Sequence, residues 1–163
     1  MSERSDRTIE HRGWTARLAE LGIPLPSIAT PAGSYAPAVR TGSLVFTAGQ
    51  VPLVDGELAA TGKVGAEIDV AQAQELARIC ALNALAAVDG LVGLDSVVRA
   101  VKVVGFVASA PGFTAQSAVV NGASDVLGEV FGAAGVHARS AVGVAELPLG
   151  APVEVELVVE VAA

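Results

Sequence analysis

Val136-His-Ala-Arg139-Ser-Ala-Val-Gly-Val-Ala-Glu146-Leu-Pro148-Leu-Gly150-Ala-Pro152-Val-Glu154-Val-Glu156-Leu-Val-Val-Glu160-Val161 is the stretch on which the fold turns. Two runs with the period-two character of strands flank a Pro/Gly-rich break from Leu147 to Pro152, and this pattern predicts an antiparallel hairpin. Strand side chains alternate faces, so Arg139 shares a face with Ala141, Gly143 and Ala145, while Ser140, Val142 and Val144 point the other way. In the second run Val153, Val155, Leu157, Val159 and Val161 form an unbroken apolar face, with Glu154, Glu156 and Glu160 opposite. One face is core and the other is wet or partnered. A hairpin symmetric about Leu149-Gly150 sets Glu160 opposite Arg139 and Glu154 opposite Ala145, about 20 Å along the strand from the arginine at roughly 3.3 Å per residue.

A guanidinium is always charged and offers a planar fork that fits a carboxylate through two parallel hydrogen bonds. Small neighbours leave room for such an anion beside Arg139. The competing reading is an ordinary ion pair with one of the three glutamates, and the strand pattern leaves both open.

Working outward, Phe113 to Phe131 reads as a helix that buries Val119, Val120, Ala123, Val126, Leu127 and Val130, with Gly132 ending it. Val97 to Ser109 is a long, nearly continuous apolar strand, the pattern of a central position covered on both sides. Val70 to Val88 forms a helix with an Ala-rich stripe (Ala73, Ala77, Ala84, Ala87) able to lie close on a sheet, capped by Asp69 and stopped at Asp89-Gly90. Asp55-Gly56 marks a tight hairpin, and Val39 to Ala48 reads as strand with a turn at Thr41-Gly42. Four prolines keep Ile23 to Pro37 extended over the surface. Before them, Thr8 is an N-cap with Glu10 and His11 in the first turn, and Trp14, Arg17, Leu18 and Leu21 suit an amphipathic helix ending at Gly22. The order predicts an α+β domain, a mixed sheet with two helices on one face. We divide it into an arm, residues 1–30, and a domain, residues 31–163.

The 163 residues suit one domain. Apolar residues make up 52% but aromatics only 4%, so the core must be built from Ala, Val and Leu. Ten basic residues against 17 acidic ones give a net charge of −7 with no basic cluster, which argues against a phosphate-neutralising groove, so no nucleic-acid partner is expected. A single cysteine, Cys80, forbids an intrachain disulfide. No window is long and apolar enough for a membrane span and no signal core follows the charged start, so a cytoplasmic protein is expected. His11 and His137 lack metal-ligand spacing, so no metal site is expected.

Ala138-Arg139-Ser140, Val144-Ala-x-Leu-Pro148 and Val153-Glu154-Val-Glu156, together with Gly33-Ser-Tyr35-Ala-Pro37 and Thr47-Ala-Gly49-Gln50-Val-Pro52, resemble in order the motifs of the YjgF/RidA family. These are enamine/imine deaminases once described as L-PSP endoribonucleases. The resemblance implies the chorismate-mutase-like fold, a homotrimer with clefts between subunits, no cofactor, and a small carboxylate-bearing substrate. It assigns Arg139 to the substrate carboxylate and Glu154 to the attacking water, with Tyr35, Gly49 and Asn121 lining the site. Two departures stand out. Ala141 replaces a cysteine common two residues after the arginine, and Gly143 replaces a glutamate found in many members two residues further on. The implied reaction is hydrolysis of 2-aminoacrylate-like enamines and imines to 2-oxoacids and ammonia; the alternatives are a non-catalytic 2-oxoacid binder and, less favoured, an endoribonuclease.

Overall fold

The computed structural model describes residues 13–163. The helix start predicted at Thr8, Glu10 and His11 lies outside the described residues. Helix α1 spans Trp14–Leu21 and ends on Gly22, whose φ of 67° is the left-handed conformation that closes a helix without a Cβ penalty. Trp14 packs edge-on against Phe131 at 5.0 Å, and its indole Nε1–H donates to the Val97 carbonyl at 2.7 Å. Helix α1 is thereby fastened to Phe131 and Val97 through an aromatic with a satisfied polar tip.

Strands β1 (Ala38–Thr41) and β2 (Leu44–Thr47) pair antiparallel, and β3 (Leu53–Val54) and β4 (Glu57–Leu58) form a separate two-stranded ribbon. Asp55 and Gly56 at its tip both have positive φ, as the two-residue hairpin signal requires. Helix α2 covers Val70–Val92, with the Asp69 carboxylate accepting from Gln72 N at its start. It runs past Asp89-Gly90, where it was expected to stop. Ile28 packs directly over Gly90, and Asp89 closes the helix from within: its backbone carbonyl accepts from Gly93 N and its side chain from Leu94 N. The glycine there serves close packing, not termination.

Strand β5 (Val97–Ala108), helix α3 (Gln116–Phe131), β6 (Ala138–Val144) and β7 (Val153–Val161) complete the chain. The main sheet has the order β1-β2-β7-β5-β6. The expected β6–β7 hairpin is therefore wrong, because β5 lies between them, parallel to β6 and antiparallel to β7. Period-two pattern identifies strands but not neighbours. The Leu147 to Pro152 break lacks the two-residue turn chemistry that forces adjacency at Asp55-Gly56, and the long apolar β5 gains a partner on each edge by entering the gap.

Val153, Val155, Leu157, Val159 and Val161 are buried beneath the helices, in one core with Ala73, Ala77, Cys80 and Ala84 of α2 and Val119, Val120 and Ala123 of α3. Each large side chain so buried contributes about 1.5–3 kcal/mol. The small residues on α2 let the helix approach the valines closely. The opposite face carries no helix: Val39, Phe46 and Val142 lie there at 55%, 41% and 44% exposure, more apolar surface than a solvated sheet face usually shows.

Candidate functional site

Alternation along β6 turns Arg139 towards the helices, and α3 meets it with one polar stripe. Nη1 donates to Asn121 Oδ1 at 2.8 Å and to Ser124 Oγ at 3.1 Å, and Nη2 donates to the Ser117 carbonyl at 3.2 Å. Positions 117, 121 and 124 recur at four and three residues, the spacing of one helix face. None of the three C-terminal glutamates is the partner, so the ion-pair reading of Arg139 does not hold. Three of its five N–H groups are engaged; among the described residues Nε–H and the second Nη2–H meet no acceptor. Ala141 follows on the same face of β6 and packs against the core.

Glu154 is half-buried on the other face of the sheet. A Cβ added at Gly49 would overlap the Glu154 carboxylate, lying 2.8 Å from its Cδ. Gly49 thus makes space for the acid. Among the described residues no cation pairs with Glu154 and no donor bonds it. Burial, and secondarily the charge of Glu156, raise its pKa above the ordinary carboxylate value. Cys80, fully buried beneath β7 with its Sγ 3.7 Å from the Val153 carbonyl, has its thiol pKa pushed far up by burial and further by Glu154. It is not a nucleophile.

Register makes the separation concrete. Arg139 stands level with Val103 and Leu157, whereas Glu154 is level with Phe106 and Val142. The two are two strands apart, three residues apart along the sheet, and on opposite faces. The hairpin register that set Glu160 against Arg139 is replaced by this arrangement. One chain thus brings Arg139 and Asn121 together, and Gly49 and Glu154 together, but does not join the two pairs. Tyr35 is 52% exposed ahead of β1, its ring against Gly33 and its hydroxyl accepting from Ala32 N at 3.2 Å.

The sequence reading missed Ser124, the Ser117 carbonyl and the partners of His137. The helical spacing of Ser117, Asn121 and Ser124 was the available signal. Among the described residues no group of three or more His, Cys, Asp or Glu could hold a metal ion. No helix among them is long and apolar enough to cross a membrane. A cavity of about 740 Å³ opens elsewhere, between residues 24–30, the β3–β4 ribbon and Ile79 and Leu82 of α2, and none of the candidate site residues lines it.

A mixed sheet with two helices on one face, and an arginine entering from the edge strand, define a protein of the YjgF type. Residues 27–161 match the model of the endoribonuclease L-PSP family, and the chain belongs to it. It is 48% identical to Protein TCP17 of Trypanosoma cruzi over 147 residues, 89% of this chain and 92% of that one. The structure of Atu1372 from Agrobacterium tumefaciens superposes with a TM-score of 0.83 at 43% identity, covering 92% of each chain. The YjgF gene product of Escherichia coli (30% identity, 82% of this chain and 97% of that one, TM-score 0.60) and E. coli TdcF with bound serine (27%, 86% and 96%, TM-score 0.60) share the fold. The match to Atu1372 covers more of the chain than residues 27–161 span, so part of the N-terminal segment is shared with that protein.

Proposed function

We propose that the protein hydrolyses small enamines and imines bearing a carboxylate, releasing 2-oxoacids and ammonia at clefts between the subunits of a homotrimer. The observation that carries this reading is the division of the site. A guanidinium with donors to spare lies on one sheet face, and a carboxylate without a cation lies on the other, so a second copy is needed to bring an Arg139 to a Glu154. The bare apolar face around Val39, Phe46 and Val142 supports association.

In this reading Asn121, Ser124 and Ser117 hold the guanidinium against α3, and its remaining donors take the substrate carboxylate. Holding the acid fixes the imine carbon for attack. Glu154, its pKa raised, accepts a proton from water as the water adds to that carbon. Glu154 passes that proton to the nitrogen, giving the neutral carbinolamine, which collapses as the hydroxyl proton moves through Glu154 to the nitrogen and the C–N bond breaks, releasing ammonia and the 2-oxoacid. Enamines enter by prior tautomerisation to the imine. Serine bound to TdcF supports a site of amino-acid size in this fold. A net charge of −7 argues against RNA as substrate, although the family description names a ribonuclease.

The test couples the protein to a dehydratase that generates 2-aminoacrylate. Wild type is expected to speed pyruvate release well above the spontaneous rate, with Arg139→Ala returning it close to that rate. Equal rates for the two proteins would end the enzymatic reading. Ala141, apolar where a cysteine is common in the family, favours a second reading: a 2-oxoacid binder without turnover. Calorimetry separates the two, because the binder takes up pyruvate yet leaves imine decay unchanged.

A further inference from the structure

His137 sits two residues before Arg139, and both of its ring nitrogens are engaged. Nδ1 is 2.6 Å from the Gly135 carbonyl and Nε2 is 2.9 Å from Ser124 Oγ. A carbonyl only accepts, so Nδ1 must carry hydrogen. In the neutral ring Nε2 is then the acceptor, and the Ser124 hydroxyl must donate to it. The same oxygen accepts from Arg139 Nη1 at 3.1 Å. Three hydrogen bonds therefore run in one direction, from Arg139 to Ser124, from Ser124 to His137, and from His137 to Gly135.

A serine hydroxyl in mid-helix is free to rotate and commonly bonds back to the carbonyl four residues earlier. Here the imidazole determines its direction. With the proton committed to Nε2, the lone pairs turn towards the guanidinium, and each bond polarises the next. The pair has the composition of a nucleophile and its base, yet the oxygen is already occupied by a cation, which lowers its value for attack.

We infer that Ser124 and His137 are positioning residues for Arg139, with His137 held as its Nδ1–H tautomer so that Ser124 presents an acceptor to Nη1. The inference rests on Arg139 as the carboxylate-binding group, and it adds two residues that hold the guanidinium at a fixed angle. Asn121 takes one hydrogen of Nη1 and the Ser117 carbonyl one of Nη2. Ser124, directed by His137, takes the second Nη1 hydrogen and so opposes rotation about the bond between Cζ and Nη1.

The test uses the full chain at about pH 8. Long-range ¹H–¹⁵N correlation is expected to find His137 protonated on Nδ1 and bare on Nε2; the opposite tautomer overturns the proposal. Rotation of the Arg139 guanidinium, followed by NMR, is expected to be slow in wild type and faster in Ser124→Ala and His137→Leu. His137→Gln, whose Oε1 can stand where Nε2 stood, is expected to restore slow rotation. Wild-type rotation in His137→Leu, or no rescue by the glutamine in a folded variant, also overturns it. Pyruvate affinity is expected to fall about fivefold in His137→Leu, the scale of one ordinary hydrogen bond, and to recover in His137→Gln. If wild type binds no pyruvate, Arg139 is not a carboxylate site, and the two NMR measurements alone decide the positioning role.

Discussion

The two faces of the main sheet treat their charged residues in opposite ways. On the helix-covered face Arg139 is met by an amide oxygen, a hydroxyl and a backbone carbonyl, fixed dipoles that cost no rearrangement when a ligand arrives. On the bare face Glu154 has only the hollow above Gly49 and the like charge of Glu156. The cation is pre-set and the anion is left under tension. A site assembled from the two uses the first to bind and the second to react.

The largest effect we expect comes from breaking the helix-covered side at Gly122, beside Asn121. A methyl group there would run into the Gln74 backbone carbonyl, so α2 and α3 could not keep their approach. Backbone, unlike a side-chain tip, cannot swing aside. Gly122→Ala is expected to cost roughly 1–3 kcal/mol, the range for overpacking a close contact, and to loosen the Asn121 bond to Arg139. Urea denaturation at fixed protein concentration measures it. A variant as stable as wild type would mean that the helices slide past each other freely.

Next comes Gly49→Ala, which sharpens the contrast from the other side. Here the added Cβ meets the end of a flexible carboxylate, and Gly49 is not in the left-handed region, so stability should change by less than about 1 kcal/mol. The carboxylate, however, must leave its place. Imine hydrolysis is expected to fall at least roughly tenfold with the thermal midpoint nearly unchanged, since a misplacement of about 1 Å can cost far more. Full activity would remove Glu154 from the mechanism.

The same contrast explains what the sequence could and could not tell. Helices, strands and their inward faces were legible, because the alternation from Val153 to Val161 and the alanine stripe of α2 each admit one packing. Strand adjacency was not. Nothing in Val136 to Val161 announces that β5 inserts between its two runs, since that choice is made by residues 97–108, well upstream. Gly90 misled because a glycine within a helix can mark either an end or a close contact, and only Ile28, 62 positions away, decides which. Arg139 and Glu154 were picked out by motif, whereas their placement on opposite faces depended on register. The acceptors of Arg139 come from α3, where the resemblance named Asn121 but periodicity, which marks only the buried residues, gave no sign of Ser117 or Ser124.

The smallest expected effect tests the idea of an uncompensated anion. Burial and Glu156 raise the pKa of Glu154 in the folded chain, so the folded state holds that proton more tightly than the unfolded state. Stability should therefore fall as pH rises from the ordinary carboxylate value through the raised one, and level off above it. Glu154→Gln lacks this cost. The variant should be more stable than wild type near pH 7, by less than about 1 kcal/mol because the group is only half-buried and solvent screens it. Its advantage should shrink as the pH is lowered through the raised pKa and disappear below the unfolded value. Arg139→Gln supplies the control on the opposite face: it removes no carboxylate, so its stability difference should stay flat with pH. Denaturant titrations at about pH 7 and pH 4 measure both. A Glu154→Gln difference equally flat would mean that water or a neighbouring subunit already compensates the carboxylate, and that the two faces are not opposites.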